Sequence, residues 1–254
     1  MTSRLAIQAL DVSKAFLIPH ERRTRLKESF VSPLRRTTYE RNQALEGVSF
    51  DVTSGEFFGI VGPNGSGKST LLKILGRIYR ADTGSIRVNG RVSPFIELGV
   101  GFNYELSARE NIEINGMLLG LTRSELADRF DAILEFAELA RFVDQQLKNF
   151  SSGMLLRLAY SIAIQVPFDI LLLDEVLAVG DQRFQAKCFS TFDEIRAGGK
   201  TVVFVSHDLG AVSRFCDRAL FLANGTAQRI GPAAEVVDEY RERAAEKSKS
   251  YAPS

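Results

Sequence analysis

Gly62-Pro63-Asn64-Gly65-Ser66-Gly67-Lys68-Ser69-Thr70 is the stretch that decides the fold. It has the form G-x-x-x-x-G-K-S, a phosphate-binding P-loop. Gly65 and Gly67 permit a backbone path that aims successive N–H groups into one concavity. A helix starting near Lys68 adds the positive end of its dipole. Lys68 reaches the terminal phosphates as a point charge, and the Ser69 hydroxyl can sit on Mg²⁺. Phe57–Val61 before the loop is apolar throughout, as a buried strand is, and Leu71–Leu75 continues as a helix with an apolar side. Strand, glycine loop, helix is the context that the motif requires.

The chain has 254 residues, enough for one large domain or one domain with an inserted subdomain. Its net charge is +1, so no global field points to nucleic acid. Cys188 and Cys216 have neither metal nor redox spacing and read as reduced thiols. The start, Met1–Leu5, lacks the apolar core of a signal peptide, and no apolar run is long enough to span a bilayer. Any membrane work is therefore expected to go through a partner.

Residues 4–12 alternate loosely and predict a first strand. Residues 17–43 break the pattern with seven Lys/Arg against three Glu, plus Pro19 and Pro33. They read as an exposed insertion with one short helix near 24–31. Residues 44–54 return to strand, with Val48, Phe50 and Val52 on one face. Beyond the P-loop helix, 82–84 is a turn, 85–88 a strand, Asn89-Gly90 a hairpin signal and 91–106 a loop. Residues 107–147 are mostly helical. Ser107…Glu110 and Thr122…Glu125 fit capping boxes, and Leu126, Phe130, Ile133, Leu134 and Ala137 follow at helical spacing. This segment, about 107–166 in all, reads as a helical subdomain inserted between two halves of a sheet domain. A helix opens at Ser151-Ser152-Gly153 and ends before Pro167. Ile170–Leu173 and Thr201–Val205 are buried strands, 182–197 is a helix, and 218–231 is a hairpin around Asn224-Gly225. A polar helix covers 232–247 and a disordered tail 248–254. Strands alternating with helices imply a mostly parallel sheet.

Asp174 and Glu175 follow four apolar residues directly. Two carboxylates at the carboxyl end of a buried strand are costly unless they have a task, and ligands bind at that end of an open α/β sheet. Asp174 suits the Mg²⁺ that Ser69 also contacts. Glu175 suits a water aimed at the γ-phosphate. His207 follows the next buried strand and can orient the water or reach that phosphate. Ser151-Ser152-Gly153-Met154, at a helix N-terminus, makes a second anion site. If the helical subdomain stands away from the sheet, its phosphate belongs to a second subunit.

Together these motifs resemble the ATP-binding cassette (ABC) ATPases over nearly the whole chain, 1–247. Gly62–Thr70 looks like Walker A, Ile170–Glu175 like Walker B with its glutamate, and Phe150–Met154 stands at the signature sequence. Ala178–Asp181 resembles the D-loop, with Asp181 at its end, and His207 the switch histidine. The resemblance implies an α/β P-loop NTPase with a mixed sheet core, an antiparallel β subdomain and the helical insertion. It implies a head-to-tail dimer that sandwiches two ATP, with Mg²⁺, and drives a membrane permease from the cytoplasmic face. Adenine stacking falls to Phe16, where the family usually has Tyr. The Q-loop glutamine is missing; Glu97 lies near its place, on Mg²⁺ or on the permease.

Finer texture is similar to the bacterial polysaccharide and teichoic-acid exporters: Ser151–Met154, residues 97–112, residues 174–181, and the position of the insertion. Cargo in that branch is a glycan on polyprenyl pyrophosphate. Some relatives carry a carbohydrate-binding domain after the ATPase; none is expected here. An ABC ATPase for another lipid or a drug, or one without a permease, is the alternative. The basic 17–43 segment reads either as a solvated loop or as a contact for anionic headgroups or the cargo's pyrophosphate.

Overall fold

The computed structural model describes residues 4–19, 39–95, 99, 101–174 and 182–250. Two sheets organise it. Strands β1 (Leu5–Pro19), β2 (Tyr39–Thr53) and β4 (Thr83–Val88) form an antiparallel sheet in the order β2-β1-β4. The larger sheet runs β5-β6-β7-β3-β8-β9, with β3 (Phe57–Val61), β5 (Val92–Phe95), β6 (Ile170–Asp174), β7 (Thr201–Val205), β8 (Arg218–Ala223) and β9 (Thr226–Pro232). All its neighbours are parallel except β8 with β9.

Side-chain alternation along the parallel strands divides the core in two. Phe57, Val61, Leu171, Leu173, Val202 and Phe204 face helices α5 (Gln182–Ala197), α6 (Leu209–Phe215) and α7 (Ala233–Ser250). Phe58, Ile60, Leu172, Val203 and Val205 face α1 (Lys68–Leu75) and the antiparallel sheet. Phe50 of β2 stacks on Phe58 of β3 at 5.4 Å, which joins the sheets. Each such ring, fully buried, contributes about 1.5–3 kcal/mol. Strands covered on both faces are why Phe57–Val61 and Thr201–Val205 are apolar at every position but one.

A third apolar cluster holds the helical layer of α2 (Ala108–Leu118), α3 (Arg123–Ala137) and α4 (Ser152–Ile164). Both capping boxes form: Ser107 and Thr122 accept from the backbone N–H of Glu110 and Glu125, whose carboxylates accept in return. Those reciprocal bonds hold both carboxylates below their usual range. Leu126, Ile133, Leu134 and Ala137 are buried as their spacing predicts, and Phe130 packs on the same cluster. Helix α4 ties this layer to the sheet, because Leu158 and Ile162 lie in the helical cluster while Tyr160 and Ala163 lie in the sheet core.

Four expectations need correction. The first strand does not end at 12 but runs to Pro19, and β2 begins at Tyr39, so Leu17 pairs with Arg41 and Ile18 with Glu40. The ends of the 17–43 insertion are thus a two-stranded ribbon. Its ladder satisfies the backbone without an apolar side-chain pattern to announce it. The helix expected at 24–31 lies outside the described residues. Asn89-Gly90 is no hairpin: β4 pairs with β1, β5 with β6, and Asn89 donates to the carbonyls of Ala6 and Leu5 as the chain crosses between sheets. Within the expected 91–106 loop, Val92–Phe95 is an edge strand, where Pro94 costs no ladder bond. Finally, the last helix continues through Ser250, past the tail's expected start at 248, and it is not polar all round, since Ala233, Val236 and Val237 are buried.

Candidate nucleotide-binding site

The P-loop leaves β3 at the carboxyl edge of the large sheet and enters α1 at Lys68. Gly67 is the N-cap, at φ 104°, and a Cβ there would stand 2.4 Å from the Ala44 carbonyl oxygen. Only glycine fits both the conformation and the approach. A glycine cap brings no side chain of its own to the first turn, and no acidic residue stands there. The open N–H groups and the dipole are left for an anion.

Lys68 is 5% exposed, and its Nζ donates to the carbonyls of Gly62 (2.8 Å) and Pro63 (3.0 Å). An ammonium is tolerated there because the loop's own oxygens bind it. Ser66 is buried at 2% exposure, and its Oγ has no hydrogen-bond partner among the described residues. Such a group inside the loop fits a polar ligand rather than an apolar one. Ser69 and Asn64 are exposed, while Pro63 and Thr70 are half-buried.

Register places the carboxylate. Asp174 pairs with Val205, and Val205 with Ile60, so the ends of β6, β7 and β3 stand in one row. Two strand spacings, about 10 Å, separate β6 from β3. Asp174 is half-buried with Oδ1 inside the protein. Ser69 and Asp174 are hard oxygen donors, the chemistry that suits Mg²⁺. His207 leaves β7 in the same row and is exposed; beside it, buried Ser206 accepts from the Asp208 N–H, and Asp208 caps α6 through Ala211 N–H.

Other expected residues lie elsewhere. Ser151 caps α4 by accepting from Met154 N–H at 3.2 Å, and Ser151 and Ser152 are exposed while Gly153 and Met154 are half-buried. Their helix begins in the helical cluster, which shares no residue with the one that holds α1. Phe16 sits on β1, half-buried, edge-on to Tyr79 at 5.5 Å with Lys14 Nζ 5.6 Å from its ring. Glu97, Glu175 and Asp181 lie outside the described residues.

Sequence reasoning missed the floor of the loop. Gly225 N–H donates to the Ser66 carbonyl, and Glu46 N–H to that of Gly225. Asn224-Gly225 was legible as a turn, with both φ positive, but its place beneath the P-loop was not.

The ABC transporter family model matches residues 45–178. The chain is 46% identical over 199 residues to an O-antigen export system ATP-binding protein of Myxococcus xanthus, covering 78% of this chain and 46% of that one. Against the protein of the same name from Klebsiella pneumoniae it is 40% identical over 235 residues, covering 91% and 96%. A teichoic acids export ATP-binding protein of Listeria innocua is 37% identical over 242 residues, covering 95% and 71%. Among solved structures, the dimeric ATP-binding cassette MJ0796 with ADP and Pi superposes with TM-score 0.71 at 24% identity, covering 89% of this chain and 98% of that one. That likeness speaks to the fold alone. With a family model over half its length and a relative matched almost end to end, the chain belongs to the ABC transporter family and has the fold of its ATP-binding cassettes.

Proposed function

We propose that the chain is the ATP-hydrolysing subunit of a bacterial exporter that moves a polyprenyl-pyrophosphate-linked polysaccharide across the cytoplasmic membrane. The observation that carries the catalytic part is the row Asp174–Val205–Ile60, which delivers the P-loop, Asp174 and His207 to one sheet edge. The cargo is supported by relatives named for O-antigen and teichoic-acid export.

In this reading Gly62–Thr70 cradle the phosphates of ATP, and Lys68 turns from the Gly62 and Pro63 carbonyls to them. Ser69 and Asp174 hold Mg²⁺, which when bound supplies charge neutralisation at the phosphates. Glu175 accepts a proton from the attacking water and His207 orients it. Phe16 lies against adenine, and Glu97 contacts the metal or the permease. Two copies pair head to tail, each offering Ser151–Met154 and Asp181 to the other's nucleotide. Only the closed pair makes those contacts, so ATP favours closure. Among the described residues no helix is long and apolar enough to cross a membrane; the permease would supply the path, with this chain on its cytoplasmic face.

The test is depletion of the chain in its source cells, with Glu175→Gln as a second arm, followed by extraction of polyprenyl-linked glycans. A lipid-linked polymer should build up on the cytoplasmic side in both arms. An unchanged lipid-linked pool, with the protein still membrane-bound, would leave the family standing and remove the cargo.

A further inference from the structure

Three helices meet at one carboxylate behind the signature segment. Glu138 is the C-cap of α3, in the left-handed conformation at φ 59°. Arg157 Nη1 of α4 lies 3.4 Å from its Oε2, and Lys187 Nζ of α5 lies 3.9 Å from its Oε1. Lys187 also donates to the Phe136 carbonyl at 2.9 Å and the Glu135 carbonyl at 3.3 Å, at the negative end of α3. Beneath these charges the rings of Phe136, Tyr160 and Phe184 form a triangle with centroids 5.8–6.0 Å apart. The Arg157 guanidinium stands 5.3 Å from the Phe184 ring, and Lys187 Nζ 4.5 Å from that of Phe136.

Position gives this cluster its meaning. Arg157 lies about two turns along α4 from the Ser151 cap. Phe184 is in the first turn of α5, which begins at Gln182 directly after Asp181. Between β6 and α5 the chain holds Glu175 and Asp181. The cluster therefore clamps the helix that carries Ser151–Met154 to α5, the next helix after Glu175 and Asp181 in the chain.

We propose that Glu138 and Arg157 are positioning residues that couple the two nucleotide sites of the dimer. This rests on the head-to-tail reading above. When Ser151–Met154 close on the partner's nucleotide, α4 takes up a fixed angle. The Glu138–Arg157 contact and the Phe184 ring pass that angle to α5, whose first residue follows Glu175 and Asp181 in the chain. A lone half-exposed ion pair contributes little, but this one shares its carboxylate with Lys187 and rests on a packed aromatic triangle. Coupling between neighbouring groups of this kind is on the order of 0.5–3 kcal/mol, a factor of about two to a hundred.

The experiment uses the full chain with Glu175→Gln, which should hold the ATP-bound dimer, and measures dimerisation against ATP by sedimentation. Arg157→Ala and Glu138→Gln are each added, with Arg157→Lys as the conservative control. ATP affinity of the monomer at low protein concentration and the melting temperature are measured alongside. We expect dimerisation to weaken about three- to tenfold in Arg157→Ala and Glu138→Gln, with monomer affinity unchanged and Arg157→Lys restoring most of the loss. In chains that retain Glu175, turnover should fall with KM unaltered. If the two variants dimerise like their parent, or if monomer affinity and melting temperature fall in step with dimerisation, the coupling role is wrong. If the parent itself does not dimerise on ATP, the head-to-tail reading falls and takes the coupling role with it.

Discussion

The backbone N–H of Gly225 donates to the carbonyl of Ser66 at 3.1 Å, so the tip of the β8–β9 hairpin holds the floor of the phosphate loop. Gly225 has φ 75°, and a Cβ there would stand 2.9 Å from the carbonyl oxygen of Ala44. The same oxygen would stand 2.4 Å from a Cβ at Gly67. One carbonyl of β2 thus sets the space for two glycines far apart in sequence. Gly225→Ala should push the hairpin tip away from Ser66 and loosen the loop. Strain of about 1–3 kcal/mol corresponds to an ATP affinity lower by roughly five- to a hundredfold if the loop bears it. Nucleotide titration by fluorescence checks this, and unchanged affinity would mean that the hairpin is not part of the site.

Lys68→Ala removes an ammonium that two loop carbonyls bind. Hydrogen bonds to a charged group contribute about 1.5–3 kcal/mol, so ATP affinity should fall by ten- to a hundredfold or so. Lys68→Arg should not restore it, because a planar fork does not fit a buried position shaped around a point charge. Restoration by arginine in the same titration would contradict the geometry described for the loop.

Asp174→Asn keeps the shape of the β6 end and removes its charge. ATP hydrolysis should drop by about a hundredfold or more, the scale of losing one group that stabilises developing charge. ATP binding measured without Mg²⁺ should persist, and raised Mg²⁺ should rescue little. Near-normal turnover would show that β6 does not face the nucleotide.

Alkaline stability should report on Cys188. Burial pushes its thiol up to about 11, with Tyr160 beside it, and Cys216 is raised too by burial. Below about pH 8.5 the thiol is neutral in both folded and unfolded chains and contributes nothing. Above that, the unfolded thiol loses its proton while the folded one keeps it, so the unfolded state binds fewer protons and stability falls as pH rises toward 11. The slope is about 1.4 kcal/mol per pH unit for one such group. Thermal melts from pH 8 to 11 should show a shallower slope in Cys188→Ala than in the wild type. Parallel slopes would place the alkaline loss in another group.

Much of this was legible along the chain, because the signals are local. The capping boxes at Ser107 and Thr122 close within four residues, and the P-loop's form follows from its own glycines and its flanking strand and helix. Where a reading needed a distant partner, it failed or stayed open. Asn89-Gly90 looks like a hairpin turn in any window, but β4 and β5 find partners in different sheets. Leu17–Pro19 and Tyr39–Gln43 carry no alternating strand pattern, and pairing with each other makes them strands.

By itself the sequence determined the phosphate loop, the buried strands, the helix starts and the candidate carboxylates, since backbone conformation and side-chain period are short-range properties. Only the tertiary structure decided that β7 separates β6 from β3, that Ala44 and Gly225 form the loop's floor, and that Glu138 draws three helices to one point. Those arrangements are contacts between residues remote in the chain, selected by how two sheet faces and a helical layer bury their apolar surface together, and no window of sequence contains both partners.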